Sequence, residues 1–380
     1  MDMLRNQRYR RHDLIDWFSQ EEVSAARIAV VGAGAVGNEV VKNLALLGVG
    51  AIDVYDFDVV EPHNLTRGVL LREGDVGRNK AEAVAERAAA LDPNVRIRAV
   101  PGDFWRTLGI RALQDCTCAI SAVDNFEARL KLNQLCLLAG VDLVNTGLDS
   151  RWASVESYPY GSAPDVACYE CTLPDSAYGR VAERYSCGGL RKRALVERRI
   201  PTTTVTASVA GALAASAALR FGPETTTGSR RTLVDTLGGA ATTVSIPRRA
   251  ECPGCAAYVT PPRVVRTRNR WLPPSTVADP SLLTLPLRLS DALIASWECV
   301  ACGPLEAADR YVNQRADAFD DSIATCPSCN APSVRVEIRD AFTLGELVER
   351  YGPRPAPVKF ALADLESGTV CFDLDEDRPS

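Results

Sequence analysis

The chain reads as an α/β protein: a doubly wound, Rossmann-like, mostly parallel sheet with a four-cysteine zinc site, followed by a C-terminal α+β extension containing a zinc ribbon. Three observations predict this. An apolar run, Arg27-Ile-Ala-Val-Val31, enters the turn Gly32-Ala-Gly34-Ala-Val-Gly37; strand-like and helix-like segments then alternate to residue 145; and eight of the 13 cysteines fall into four Cys-x-x-Cys pairs. Strand, glycine turn, helix, strand is the order of a βαβ unit.

In chain order, residues 1–26 are polar, with Leu14, Ile15, Trp17 and Phe18 at helix-like spacing, and form an N-terminal helical segment. A strand at 27–31, a helix at 38–47 and a strand at 51–56 make the first unit. Helix 80–91, strand 95–100, strand 118–123, helix 129–139 and strand 141–145 continue it, with Pro93 and Gly140 punctuating the gaps. Residues 27–258 are therefore expected as one domain. The paired prolines at 261–262 and 273–274 mark residues 259–296 as a linker. A ribbon-like module at 297–332 and a small α+β module at 333–380 complete the chain; the latter reads as strand 334–338, helix 344–351 and a hairpin turning on Ser367-Gly368.

Composition narrows the function. Of the 380 residues 46% are hydrophobic and 24% charged, which excludes disordered, collagenous and coiled-coil classes. A net charge of −5 argues against nucleic-acid or membrane-surface binding. No span reaches the roughly 18–20 apolar residues of a membrane helix; the nearest, 204–221, is rich in Ala, Ser and Thr, as suits a helix packed closely inside protein. The first eleven residues lack the apolar core of a secretory signal, so a cytoplasmic location is expected and paired cysteines read as metal ligands before disulfides. Only His12 and His63 are present, too few for a histidine-rich metal site.

The glycine turn suits a phosphate, because Gly32, Gly34 and Gly37 let the backbone approach it while the helix N-terminus offers a positive dipole end. Asp56, at the end of the second strand, is placed for ribose hydroxyls. The next stretch is unlike a dehydrogenase: Asp56-Phe-Asp58 opens a polar loop containing Asn64 and Arg67, and Gly77-Arg-Asn-Lys80 opens a helix. Only five of the 43 Lys and Arg residues are lysine, which singles out Lys80. A forked and a point cation, Arg67 and Lys80, suit a triphosphate. Asp124, just past a strand end, suits Mg²⁺.

Asp-x-Asp, Asn-Leu-x-Arg, Gly-x-x-Lys and the Asp124 motif, in this order, resemble the ubiquitin-activating-enzyme-like adenylyltransferases (ThiF, MoeB and HesA), which activate sulfur-carrier proteins among others. Arg8-Tyr9-Arg10-Arg11-His12 is similar to that family's N-terminal motif, and the resemblance covers about residues 8–255. It implies ATP-dependent adenylation of the C-terminal carboxylate of a small ubiquitin-fold or sulfur-carrier protein, with release of pyrophosphate. By position, Gly32, Gly34, Gly37, Asp56, Asp58, Asn64, Arg67, Lys80 and Asp124 would hold ATP and Mg²⁺. Arg11 would reach into a partner subunit's site, implying a homodimer. The carboxylate is already a nucleophile, so the reaction needs positioning and charge neutralisation more than acid–base help.

Cys168-Tyr-Glu-Cys171 and Cys252-Pro-Gly-Cys255 suit a closed, structural Zn²⁺ site. Cys299-Val-Ala-Cys302 and Cys326-Pro-Ser-Cys329 have zinc-ribbon spacing and suit a second, as a staple or a partner-docking element. Cys187 lies near a basic stretch that would lower its thiol pKa. It would accept the acyl group as a thioester, or else sit in an inert loop. The residues past 255 would dock a carrier or a downstream conjugating enzyme. Two further readings share parts of the pattern: a peptide-adenylating enzyme of natural-product synthesis, and a non-catalytic scaffold of the same fold. A nicotinamide-dependent oxidoreductase leaves Arg67, Lys80 and Asp124 without a role.

Overall fold

The computed structural model describes residues 7–161, 163, 165–174, 202–219, 228–256, 262–267, 280–303, 312–318, 325–331, 334–352 and 354–374. The chain divides into two compact units, Met1–Pro261 and Pro262–Ser380.

In the first unit, β1 (Arg27–Val31), α2 (Ala35–Leu47), β2 (Ala51–Asp56), α3 (Lys80–Ala89) and β3 (Arg96–Pro101) form the expected alternation. Two short helices, α4 (Phe104–Thr107) and α5 (Ile110–Gln114), lead to β4 (Cys118–Ser121), α6 (Phe126–Ala139) and β5 (Asp142–Leu148). These five strands pair in parallel, in the order β3-β2-β1-β4-β5. The glycine turn starts α2 at Ala35, three residues before the sequence suggests, because Gly34 serves as its N-cap. The sheet then continues antiparallel through β6 (Trp152–Tyr158), β7 (Arg230–Asp235) and β8 (Ala241–Ser245), an extension the sequence pattern does not reveal.

The N-terminal segment differs from expectation. Its apolar residues do not make one helix: a 3-10 turn at His12–Leu14 and α1 (Gln20–Ala25) are separate, and Leu14 and Trp17 stay exposed. The segment is anchored instead by Tyr9, whose buried hydroxyl bonds to Asp92 and whose ring packs on Gly48 at the end of α2.

The alanine-rich helix α7 (Thr204–Leu219) buries Ala207, Ala210, Ala214, Ala215 and Ala218 in the core shared with α2. Gly211 faces Glu39 so closely that a Cβ would clash with it. Small residues thus set the spacing of the two helices. Among the described residues no helix is long and apolar enough to cross a membrane.

Among its described residues the second unit holds one five-stranded sheet, β11-β10-β12-β13-β9, built from β9 (Arg263–Arg266), β10 (Pro286–Cys299), β11 (Val334–Thr343), β12 (Phe360–Leu365) and β13 (Gly368–Asp373). Helix α8 (Leu344–Tyr351) begins at a capping box between Thr343 and Glu346 and packs Leu347 and Tyr351 onto Leu287, Leu289 and Leu293. The stretch 259–296, expected as a linker, therefore contributes two strands, and the boundaries drawn at 297 and 333 cut through a continuous sheet. Leu287, Leu289, Leu293 and Ala295 face one core while Ile294, Trp297 and Cys299 face a second, because a bulge after Ile294 switches the inward face; Ser290-Asp291 also interrupts the run, and the flanking prolines disguise it. The final hairpin pairs Leu365 with Gly368, so it turns on Glu366-Ser367, one residue earlier than expected.

Candidate functional site

The site is assembled where β1, β2 and β4 end, the edge at which open α/β sheets hold ligands. Gly32 takes a φ of +98°, and a Cβ there would meet the Ala122 carbonyl oxygen at 2.5 Å. Gly37 lies so close to the Gly32 carbonyl that no side chain fits. Gly34 differs: nothing lies within 4 Å of where its Cβ would be. The first and third glycines close the turn on itself, and the second leaves the start of the 13-residue α2 open to a ligand.

Asp56 stands beside this turn. One carboxylate oxygen accepts the Ala33 N–H at 2.7 Å and the other the Asp58 N–H at 2.8 Å. Burial raises its pKa, and those two N–H groups with Lys80 counter part of the rise. The Lys80 ammonium, 12% exposed, lies 2.8 Å from the Asp58 carboxylate. Asn79 caps α3 and donates from its side chain to the carbonyls of Asp56 and Asp58, so the end of β2 and the start of α3 are tied together.

Asn64 and Arg67 sit in the following turns. The Asn64 side chain accepts the Glu61 N–H at 2.9 Å, and the Arg67 guanidinium donates to the His63 carbonyl at 3.1 Å. Buried Asn38 joins this loop to the glycine turn: its amide donates to the carbonyls of Ala33 and Gly34 and accepts the Leu70 N–H at 3.0 Å. Sequence reasoning misses Asn38, although a fully buried amide in the apolar run of α2 is itself a signal.

Asp124 is exposed on the loop after β4, which touches the glycine turn through Ala122 and Gly32. Asn125 caps α6 by accepting the Ala128 N–H at 2.8 Å. Arg129, one turn into α6, donates to the Val123 carbonyl at 2.5 Å, to the Asn145 side chain at 2.5 Å and to the Thr146 carbonyl. Burial lowers its pKa from the ordinary arginine value. Asn145 and the Glu156 it bonds to are likewise not anticipated by the sequence pattern.

Arg11 is not part of this cluster. Its neighbours Tyr9 and His12 are fixed at the far end of α2, through Gly48 and through Gln20, which donates to the Leu47 carbonyl. A 13-residue helix, about 20 Å long, separates that end from the glycine turn. Cys187 lies outside the described residues.

The eight paired cysteines form two clusters. Within each set, Cys168/Cys171/Cys252/Cys255 and Cys299/Cys302/Cys326/Cys329, the sulfurs all lie within 4.8 Å of one another. Cys168–Cys252, Cys171–Cys255 and Cys299–Cys329 are 3.6 Å apart, near the roughly 3.8 Å between ligands of a tetrahedral ion with Zn–S bonds of about 2.3 Å. The donor sets fit zinc. All four positions are filled by protein, so such an ion would brace the fold and offer no open coordination site.

Residues 7–254 match the ThiF family. The chain is 32% identical over 179 residues to the SAMP-activating enzyme E1 of Haloferax volcanii, covering 46% of this chain and 65% of that protein. It is 35% identical over 158 residues to the sulfur carrier protein adenylyltransferase of Thermus thermophilus, covering 41% and 58%. The matched stretch is thus less than two thirds of either relative. Among solved structures, Escherichia coli MccB with AMPCPP and MccA superposes with a TM-score of 0.52 at 23% identity, over 66% of this chain and 74% of that one, a shared fold. The family match ends before the second unit begins.

Proposed function

The chain belongs to the ThiF family, and from that premise we propose that it is an adenylating enzyme acting on the C-terminal carboxylate of a small ubiquitin-fold or sulfur-carrier protein. The observation that carries the reading is the direct linkage of the glycine turn, Asp56, Asp58 and Lys80 at one end of the sheet. In the reaction a carboxylate oxygen attacks the α-phosphorus of ATP. The bond from that phosphorus to the bridging oxygen breaks, and pyrophosphate leaves with the electron pair. The chain's task is to hold the two reactants in line and to meet the charge that accumulates on pyrophosphate.

Each residue then has a part. The open start of α2 at Gly34 receives phosphate, and Asp56 meets the ribose. Lys80, Asn64 and Arg67 face the leaving group. Asp124 would hold Mg²⁺, which supplies further charge neutralisation when bound. Arg11, about a helix length from its own glycine turn, serves the site of a second copy, so the working form is a homodimer. Two structural zinc ions occupy the cysteine clusters, the second as a ribbon-like staple. The protein works in the cytoplasm.

Pyrophosphate exchange into ATP tests this. The full chain is incubated with Mg-ATP, labelled pyrophosphate and purified carrier proteins of both classes, alongside short peptides. Exchange that depends on a carrier's free C-terminus supports the reading. Exchange with peptides alone would move it to peptide activation, and no exchange with any of them, with no Mg-ATP binding, would overturn it in favour of a scaffold. Non-reducing intact mass of the same mixtures asks a further question: a thiol-labile adduct absent from Cys187→Ser would show acyl transfer to that cysteine.

A further inference from the structure

Arg129 is a half-buried cation whose hydrogen bonds, among the described residues, all go to neutral acceptors. Among the described residues it forms no ion pair; its partners are the Val123 carbonyl, the Asn145 side-chain oxygen and the Thr146 carbonyl. Taking an arginine partly out of water with no carboxylate to pair it carries a desolvation cost that its hydrogen bonds must offset. Two of the three acceptors lie in the middle of β5, level with Ser121 where β4 ends, and the third immediately precedes Asp124. The guanidinium therefore bridges the loop that carries Asp124 to the neighbouring strand.

The bridge is itself supported. Ser121, Asn145, Glu156 and Arg231 are consecutive register partners across β4, β5, β6 and β7, and so share one face of the sheet. The Asn145 amide donates to Glu156 at 2.8 Å, which leaves its oxygen turned toward Arg129. Glu156 also accepts from the Tyr158 hydroxyl at 2.9 Å and from Arg231 at 2.6 Å. Asn145 and Glu156 thus each have their orientation set by the next member of the row. Thr146 completes the tie, its hydroxyl donating to the Ser121 carbonyl at 2.8 Å.

We propose that Arg129 is a positioning residue for adenylation: it pins the Val123 carbonyl to the middle of β5 and so fixes the course of the loop from β4 to Asp124, with Asn145 and Glu156 as its support. The consequence for catalysis rests on the adenylation reading; the clamp itself does not. Two readouts on the full chain separate them. The first is amide hydrogen exchange at residues 123–126, compared among wild type, Arg129→Met, Arg129→Lys and Asn145→Ala. The second is calorimetric affinity for Mg-ATP and, in EDTA, for ATP alone.

Faster exchange confined to 123–126 in Arg129→Met and Asn145→Ala is expected, with Arg129→Lys intermediate because its ammonium reaches fewer acceptors. Affinity for Mg-ATP should fall about 10-fold or more, as for residues that orient a metal ligand, while metal-free ATP binding holds. Unchanged exchange at 123–126 overturns the clamp. So does an increase spread evenly over β4, β5 and α6, which would make Arg129 a general brace. Should Arg129→Met fail to fold, Arg129→Lys and Asn145→Ala decide by the same criteria. Wild-type protein that binds no Mg-ATP would sink the adenylation reading, and the exchange data would still decide the clamp.

Discussion

Lys80 holds its ammonium 2.8 Å from the carboxylate of Asp58, and the Asp58 N–H is bonded in turn to Asp56. The lysine that opens α3 is thus tied to the strand end that carries Asp56. A long, flexible side chain loses rotamer freedom whenever it meets a phosphate, and a partner that already restrains it reduces that loss.

Lys80→Ala is accordingly expected to lower carrier-dependent pyrophosphate exchange by about 100-fold or more, in the range for removal of a single charge-stabilising donor. Asp58→Asn should act more mildly, raising the KM for ATP with a smaller effect on the maximal rate. Equal rates for wild type and Lys80→Ala would remove the lysine from the site.

The three glycines of the turn should separate folding from binding. A Cβ at Gly37 would clash with the Gly32 carbonyl, so Gly37→Ala should unfold at markedly lower temperature. Nothing surrounds the Cβ position of Gly34, so Gly34→Ala should melt as wild type does and yet bind ATP more weakly. Thermal melts with and without nucleotide measure both. A Gly34→Ala protein with unchanged ATP affinity would mean that phosphate does not approach there.

What the sequence makes visible is what is local. Gly32, Gly34, Gly37 and Asp56 lie within one βαβ unit, where residue spacing and three-dimensional arrangement are nearly the same information. Arg129, Asn145 and Glu156 meet only because β4, β5 and β6 are neighbours in the sheet, and no short-range pattern encodes that. Strand β8 leaves all five residues exposed, so it lacks the inward–outward alternation that reveals a strand. In the second unit Ser290-Asp291 breaks the alternation of β10 at its centre, which is why a strand passed for a linker.

Acid should expose one buried ion cluster. Asp75 is fully buried; burial alone would raise its pKa, but the Arg72 N–H and the guanidinium groups of Arg87 and Arg78 outweigh that and hold it below the usual carboxylate range. A depressed pKa in the folded state contributes stability above the unfolded-state value, and that contribution is lost as pH falls through the folded-state value. Asp75→Asn should therefore lower the melting temperature by several degrees at pH 7. The gap to wild type should narrow as pH drops below about 4, where the unfolded chain begins to take up the proton. A gap that stays constant down to acid pH would show that the ionised form contributes nothing.

The two cysteine clusters should release metal in a fixed order and with different consequences. In the first, Cys168, Cys252 and Cys255 are buried and Cys171 is half-buried; in the second, Cys302 and Cys329 are exposed. Elemental analysis should find two zinc ions per chain. A chelator should remove one before the other, with thiol alkylation appearing first at Cys302 and Cys329. The first cluster also braces α6, because Glu170, between Cys168 and Cys171, accepts the Asn133 amide of that helix at 3.1 Å. Asn133 lies one turn beyond Arg129, on the helix that comes after Asp124. Cys168→Ser should thus weaken Mg-ATP binding about 10-fold, by the reasoning that applies to groups orienting a metal ligand. Cys302→Ser should lose one zinc and leave nucleotide affinity unchanged, since its cluster belongs to the second compact unit. Alkylation that begins at Cys168 or Cys171 would reverse the order, and equal loss of ATP affinity in both variants would deny the first cluster its hold on α6.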